Sequence, residues 1–210
     1  MDFFTEYHKW YYNTEVWKRQ YWRGVEVQKF IFDVWNYQEI IFDLKPDLIL
    51  EIGTYKGGSA LMFHDLLRNV NKKGIVVTVD ISHELSKPNI DGIKGLKLLE
   101  GDSISLEMAK AMELYIKDSG RVFAILDGNH QKEQVFKEMV IMNELLKEGD
   151  YLVVEDGNIN GNPVLPGWGA GPKEAIDDFF RIYPDSFKHD YDRERKFRIT
   201  CAPEGYLIKL

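Results

Sequence analysis

From Asp47 onward, five apolar, largely β-branched runs recur along the chain, each ending in or beside a carboxylate: DLILEIG (47–53), GIVVTVD (74–80), LKLLEGD (96–102), RVFAILD (121–127) and DYLVVED (150–156). Longer amphipathic stretches separate them, and that alternation predicts βαβ units wound into an α/β fold, a mostly parallel twisted sheet with helices on both faces. Continuous apolar runs suit strands covered on both sides, which confines polar residues to the strand ends. Ligands of open parallel sheets bind outside the carboxyl ends of the strands, so Glu51, Asp80, Asp102, Asp127, Glu155 and Asp156 are expected along one edge.

Helices are predicted from Ser59 to Val70, from about Ser103 to Lys117, from Gln131 to Leu146 and from Pro172 to Tyr183, where Pro172 suits a first helical turn. Beyond them, Phe187–Asp190, Phe197–Cys201 and Tyr206–Leu210 read as short closing strands, separated by the charged DRERK segment and the turn-forming PEG. Residues 1–46 differ in composition, carrying WYY, YW, VW and NY clusters, and are expected to form helices over the ligand edge or against another subunit. The chain thus divides into an aromatic-rich helical segment, 1–46, and an α/β domain, 47–210. At 210 residues with 44% hydrophobic content it supports one such core.

A formal charge of −7 with dispersed Lys and Arg argues against a nucleic-acid partner and for a small-molecule one. Cys201 has no internal disulfide partner, and MDFFTEYHKW lacks the basic-then-apolar layout of a signal peptide, so the cytoplasm is the expected compartment. No apolar run approaches the roughly 20 residues that cross a bilayer, so no membrane partner is expected.

After the first run, EIGTYKGGSA places Gly53, Gly57 and Gly58 where strand turns into helix, with Thr54 and Ser59 beside them. Glycines there let a ligand approach the backbone closely. The spacing is E-x-G-x-x-x-G-G-S, looser than the G-x-G-x-x-G that binds a pyrophosphate. A carboxylate at Glu51 would repel phosphates and suits a ligand with a cationic amino-acid end, as S-adenosylmethionine has. Asp80, with Ile81 next to it, ends the second run where a carboxylate can hold ribose hydroxyls, and Asp102 and Ser103 end the third where they can border the adenine.

A second constellation is LDGNH (126–130) with VVEDGN (153–158). If their strands are neighbours, Asp127, Glu155 and Asp156 converge, and three carboxylates in one pocket repel one another unless a cation joins them. Oxygen ligands and the lack of a Cys/His set point to Mg²⁺, with Mn²⁺ as the alternative. Such an ion can orient a substrate hydroxyl and lower its pKa. His130 stands three residues past Asp127, and an imidazole there suits the base that takes the hydroxyl proton. His83, close behind Asp80, is expected to line the cofactor pocket. The loop NINGNPVLPGWGAGPKEA (158–175) is long enough to be functional, with Trp168 as a stacking surface for an acceptor ring.

Three segments, WNYQEIIFDLKPDLILEIGTYKGGSAL, LDGNH and YLVVEDGNINGNPVLPGWGAGPKEAIDDFF, resemble the cephalosporin hydroxylase family over nearly all of residues 22–210. The resemblance implies a class I methyltransferase of Rossmann-like fold, similar to metal-dependent enzymes that methylate hydroxyls of macrolide sugars. It implies S-adenosylmethionine near Glu51, Gly53, Gly57, Ser59, Asp80 and Asp102, Mg²⁺ at Asp127, Glu155 and Asp156, and His130 as the base. It also implies assembly into a homo-oligomer, for which the aromatic N-terminal segment is the candidate surface. The metal spacing is similar to that of catechol O-methyltransferases, except that a Lys stands there in the place of His130 and Asp-Asn replaces Glu155-Asp156.

Two other classes stay open at this level. An oxidoreductase, as the family's name suggests, would need a nicotinamide fingerprint or a His-x-Asp/Glu…His iron triad, and the sequence has neither. A non-catalytic binding protein of the same fold is the other, since fold does not dictate function.

Overall fold

The computed structural model describes residues 2–210. Its centre is a seven-stranded sheet built from β3 (Leu48–Ile52), β4 (Ile75–Asp80), β5 (Leu96–Glu100), β6 (Val122–Leu126), β7 (Tyr151–Val154), β8 (Phe187–His189) and β9 (Tyr206–Lys209), in the order β5-β4-β3-β6-β7-β9-β8. The first five of these run parallel, while β9 pairs antiparallel with both β7 and β8.

Burial explains why the central runs read as continuously apolar. Every residue of β3, β6 and β7 is buried, and alternate residues enter different cores. Leu48, Leu50 and Ile52 join one core with Val122, Ala124 and Leu126, beneath α5 (Leu106–Ile116), α6 (Lys132–Leu145) and α7 (Pro172–Ile182). Ile49, Phe123 and Ile125 join the other, beneath α2 (Ile31–Leu44) and α3 (Gly58–Val70). This period of two is the ordinary consequence of a pleated strand covered on both faces. Ser105 accepts from the Met108 N–H and so caps α5, and Glu174 accepts the Gly171 N–H at the start of α7.

The N-terminal segment comprises α1 (Phe3–Asn13), a 3₁₀ turn at Val16–Arg19, the hairpin strands β1 (Tyr21–Trp22) and β2 (Val25–Glu26), and α2. Tyr37, Ile40 and Ile41 of α2 lie in the same core as Phe63 and Phe123, so the division at residue 46 does not separate two cores. The short helices α4 (Lys87–Ile90) and α8 (Tyr191–Arg195) complete the elements.

One closing strand does not form. Residues 197–201 are irregular because the buried Asp33 takes their polar groups: the Cys201 N–H donates to its Oδ2 at 2.8 Å and the Thr200 hydroxyl to its Oδ1 at 2.6 Å. Most of the DRERK segment is helical, in α8.

The chain leaves β3 toward β4 and β5 on one side and returns through β6 and β7 on the other. The strand order therefore reverses between β3 and β6, where a crevice opens at the carboxyl ends.

Candidate active site

Residues at that crevice are held by backbone geometry. The Gly53 N–H donates to the Val79 carbonyl and the Asp127 N–H to the Ile52 carbonyl, both at 2.8 Å, so the two turns leave the sheet side by side. Gly53 has φ +97°, and a Cβ on it would run into the Asp127 carbonyl. Gly58 is pressed against the Glu26 carbonyl of the N-terminal hairpin. Glycine at these two positions is thus required by close approach.

A cavity of about 1240 Å³ opens above these turns. Gly53, Thr54, Gly58, Ser59, Asp80 and Ile81 line one part, with Asp102 and Ser103 farther along. Asp127, His130, Glu155 and Asp156 line the other part. Of the six carboxylates expected along one edge, Asp80, Asp102, Asp127, Glu155 and Asp156 line this cavity.

Two of the expected cofactor residues stand behind the wall. Glu51 is fully buried, its Oε2 accepting from the Thr78 hydroxyl at 2.7 Å, and Gly57 faces the Ile90 side chain. They shape the loop from beneath, Gly57 through its left-handed φ of +84° at the start of α3. Burial pushes the Glu51 carboxyl up to about 7, against the pull of Lys29, Ser59 and Thr78. His83 also turns inward, bonded to the Ser86 hydroxyl at 2.9 Å and the Leu99 carbonyl at 2.8 Å, because its imidazole is the packing between β5 and the turn after β4.

Asp80 performs two tasks at once. Its Oδ2 accepts the N–H groups of Thr54 and Tyr55, at 2.8 and 2.9 Å, which fixes the glycine loop, and Oδ1 has only a long contact from the Ser82 N–H, at 3.4 Å, in a residue that lines the cavity.

The acid cluster divides in a way the sequence did not indicate. Asp127, His130 and Asp156 each offer a ligand atom, all within 4.8 Å of one another, and His130 Nε2 lies 3.1 Å from Asp156 Oδ2. Glu155 lies outside that set, its Oε1 accepting from Lys29 Nζ at 2.7 Å and from the Tyr37 hydroxyl at 2.9 Å. Lys29 also donates to Asp127 Oδ2 at 2.5 Å. Burial alone would push the Lys29 ammonium down in pKa, but Asp127 and Glu155 outweigh it and hold the group charged. Burial first, then the neighbouring Asp127, drives Glu155 well above the usual carboxylate range. Carboxylate oxygens are the hard donors that Mg²⁺ or Mn²⁺ takes, so Asp127 and Asp156, with the adjacent Glu155, fit such an ion, and the imidazole of His130 lies beside them.

Other groups escaped sequence reasoning. Glu138 lines the cavity from α6, with Oε1 accepting from the Ser103 hydroxyl at 2.5 Å and Oε2 without a partner among the described residues. Its signal was available: Val135, Glu138, Met139 and Met142 share the inward stripe of α6. Lys29 carried none, being one lysine in an extended stretch. Tyr11, Tyr12, Trp17 and Phe30 bring the N-terminal segment into the cavity wall, to which the 158–175 loop contributes Trp168.

Comparison with known proteins follows the same lines. Residues 14–210 match the family described as Rhamnosyl O-methyltransferase/CmcI. A protein named rhamnosyl O-methyltransferase from Mycobacterium tuberculosis (strain H37Rv) is 44% identical over 205 residues, which is 97% of this chain and 84% of that protein. One of the same name from Mycobacterium leprae is 43% identical over 205 residues, 97% of this chain and 89% of its own. A solved structure of CmcI with Mg and SAM superposes with a TM-score of 0.73 at 21% identity, covering 92% of this chain and 77% of that one, and bears on the fold.

Proposed function

The chain belongs to the rhamnosyl O-methyltransferase/CmcI family, and from that premise we propose that it is an S-adenosylmethionine-dependent, Mg²⁺-dependent O-methyltransferase acting on a hydroxyl of a sugar or sugar-bearing natural product. The observation that carries this reading is the pairing, in one cavity, of the Gly53–Asp80 loop with the Asp127–His130–Asp156 cluster. When bound, S-adenosylmethionine supplies an electrophilic methyl carbon and the divalent ion a Lewis acid for the acceptor hydroxyl.

The chain's own residues supply position and proton transfer. Thr54, Gly58 and Ser59 form the floor for the cofactor's amino-acid end, and Asp80 Oδ1 is the acceptor offered to ribose hydroxyls. Asp102 and Ser103 border the base. Asp127, Glu155 and Asp156 would hold the ion, while His130 Nε2 takes the acceptor's proton and Asp156 Oδ2, 3.1 Å away, stabilises the resulting imidazolium. A ring nitrogen cannot bind a cation and accept a proton together, so the base role assigns His130 outside the ion's ligands during turnover. Holding both reactants in line over this floor is the main source of rate acceleration. The E-x-G-x-x-x-G-G-S spacing of the Gly53–Ser59 turn, rather than Asp80, which a nicotinamide cofactor's ribose would also use, disfavours a dinucleotide pyrophosphate and so the oxidoreductase alternative.

The same reading assigns the chain to the cytoplasm and to a homo-oligomer in which exposed Trp10, Trp35 and Phe42 meet another subunit. No helix among the described residues is long and apolar enough to cross a membrane. Calorimetric titration with S-adenosylmethionine, with and without Mg²⁺ and with NAD⁺ as control, tests the cofactor assignment. Saturable binding of S-adenosylmethionine alone is expected. Asp127→Asn and His130→Ala should then abolish methyl transfer to rhamnosyl acceptors with cofactor binding intact, and binding of NAD⁺ instead, or activity retained in both variants, overturns the reading.

A further inference from the structure

We propose that Lys29 is a positioning residue of this site, a built-in counter-ion that competes with a divalent cation for Asp127 and Glu155 and so sets how tightly that cation is held. The inference rests on the divalent-ion reading above and goes beyond it, because it gives the N-terminal segment a role in the chemistry.

The charge arithmetic of the cluster leads here. Asp127, Glu155 and Asp156 stand together at the ends of adjacent strands, and such a group is unfavourable in a poorly solvated pocket without compensation. The compensation present is a buried ammonium. Lys29 Nζ lies 2.5 Å from Asp127 Oδ2 and 2.7 Å from Glu155 Oε1, with its side chain 1% exposed. Tyr37 donates to the same Glu155 oxygen from α2, so two groups of the N-terminal segment converge on one carboxylate.

A divalent ion on Asp127 would share that carboxylate with the ammonium. Metal–oxygen distances of about 2.0–2.2 Å leave the two cations within roughly 5 Å of each other, where repulsion in a low-dielectric site is large. Lys29 therefore weakens ion binding while keeping the acids assembled when no ion is there. It also leaves the loaded cluster less negative, which preserves the ion's pull on an acceptor oxygen. Because Lys29 sits between β2 and α2, in the stretch that also contributes Phe30 to the cavity wall, ion binding and the docking of this stretch draw on the same contacts.

The test is a Mn²⁺ titration, followed by calorimetry and by loss of the free-ion paramagnetic signal, of wild type, Lys29→Met and Asp156→Asn. Lys29→Met should bind Mn²⁺ at least about tenfold more tightly than wild type, a change of about 1.4 kcal/mol. Asp156→Asn should bind it more weakly. The melting temperature of Lys29→Met should fall below wild type in chelator and recover more than wild type on adding Mn²⁺. Equal or weaker Mn²⁺ affinity in a folded Lys29→Met overturns the proposal, since that is what a merely structural lysine would give. If the variant does not fold, ¹⁵N-lysine spectra of wild type decide: the buried ammonium resonance should shift on Mg²⁺ addition, and a resonance unmoved at saturating Mg²⁺ overturns the proposal. Absence of saturable Mn²⁺ and Mg²⁺ binding in wild type is a different result, overturning the divalent-ion reading and this inference together.

Discussion

Asp80 Oδ2 receives the Thr54 N–H at 2.8 Å, so the carboxylate that faces the cofactor's expected position is also the group that fixes the glycine loop. Asp80→Ala removes the acceptor of a buried N–H, since Thr54 is only 2% exposed, and should cost about 1–3 kcal/mol of stability. S-adenosylmethionine affinity should fall by at least about tenfold, or about 1.4 kcal/mol, because loop and hydroxyl acceptor are lost together. Asp80→Asn, which keeps one carbonyl oxygen for the loop, should recover most of the stability and less of the affinity. Denaturant melts and calorimetry on the two variants check this, and equal losses in both would mean that the loop contact carries everything.

Gly53→Ala should be among the most damaging single changes in the chain. Its φ of +97° is unfavourable for any L side chain, and the new Cβ would meet the Asp127 carbonyl, which is backbone and cannot turn aside. A loss above about 2 kcal/mol in urea denaturation is expected, with separation of the Gly53 and Asp127 turns and loss of methyl transfer. Gly92→Ala is the control: φ is also positive, +74°, but nothing lies within 4 Å of the Cβ, so only the backbone penalty applies.

The parallel strands were legible because burial on both faces imposes uninterrupted apolar runs, and the acids at their ends were legible because only there is a carboxylate free to serve a ligand. Residues 197–201 were not, since an apolar stretch with Thr200 and Cys201 fits a strand as well as a loop gathered around the distant Asp33. Lys29 shows the same limit at the site itself. Nothing local marks a lysine that will be buried against carboxylates about a hundred positions later, and the cluster's division into Glu155 on one side and Asp127, His130 and Asp156 on the other depends on that contact. Glu138 lies between these cases, readable from helical periodicity as an acid on an inward face but without a sign of its partner Ser103.

Glu138 also makes stability depend on pH. Burial raises its carboxyl from an ordinary 4.5 to about 7 in the folded chain, more than Ser103 and Gln134 lower it. A group that holds its proton more tightly when folded contributes stability that is full below the unfolded pKa and is lost as pH rises through the folded one. Glu138→Gln keeps the oxygen that Ser103 donates to and cannot ionise. The variant should match wild type near pH 4.5 and exceed it at pH 8 by on the order of 1–3 kcal/mol. Thermal melts of both proteins across that range check the sign, and a gap that stays constant from pH 4.5 to pH 8 would show that Glu138 is not the titrating group.

Truncation separates the roles of the two N-terminal helices. A fragment of residues 47–210 should not fold, because Tyr37, Ile40 and Ile41 are at most 1% exposed in the core formed with Phe63 and Phe123. Burying side chains of this size contributes about 1.5–3 kcal/mol each, and their combined loss is comparable with the 5–15 kcal/mol that holds a domain together. Removal of residues 1–13 takes away only α1, whose Tyr11 belongs to a small satellite cluster with Phe30 and Ile199, and the family match itself begins at residue 14. That fragment should fold with a lower melting temperature. It should still bind S-adenosylmethionine, whose floor is built from Gly53, Thr54, Gly58, Ser59 and Asp80, but turn over acceptors poorly, because Tyr11 and Tyr12 are missing from the cavity wall. Circular dichroism melts, cofactor calorimetry and acceptor KM on the two fragments distinguish a helix that builds the core from one that shapes the acceptor side. A folded 47–210 fragment would instead make α2 an appendage.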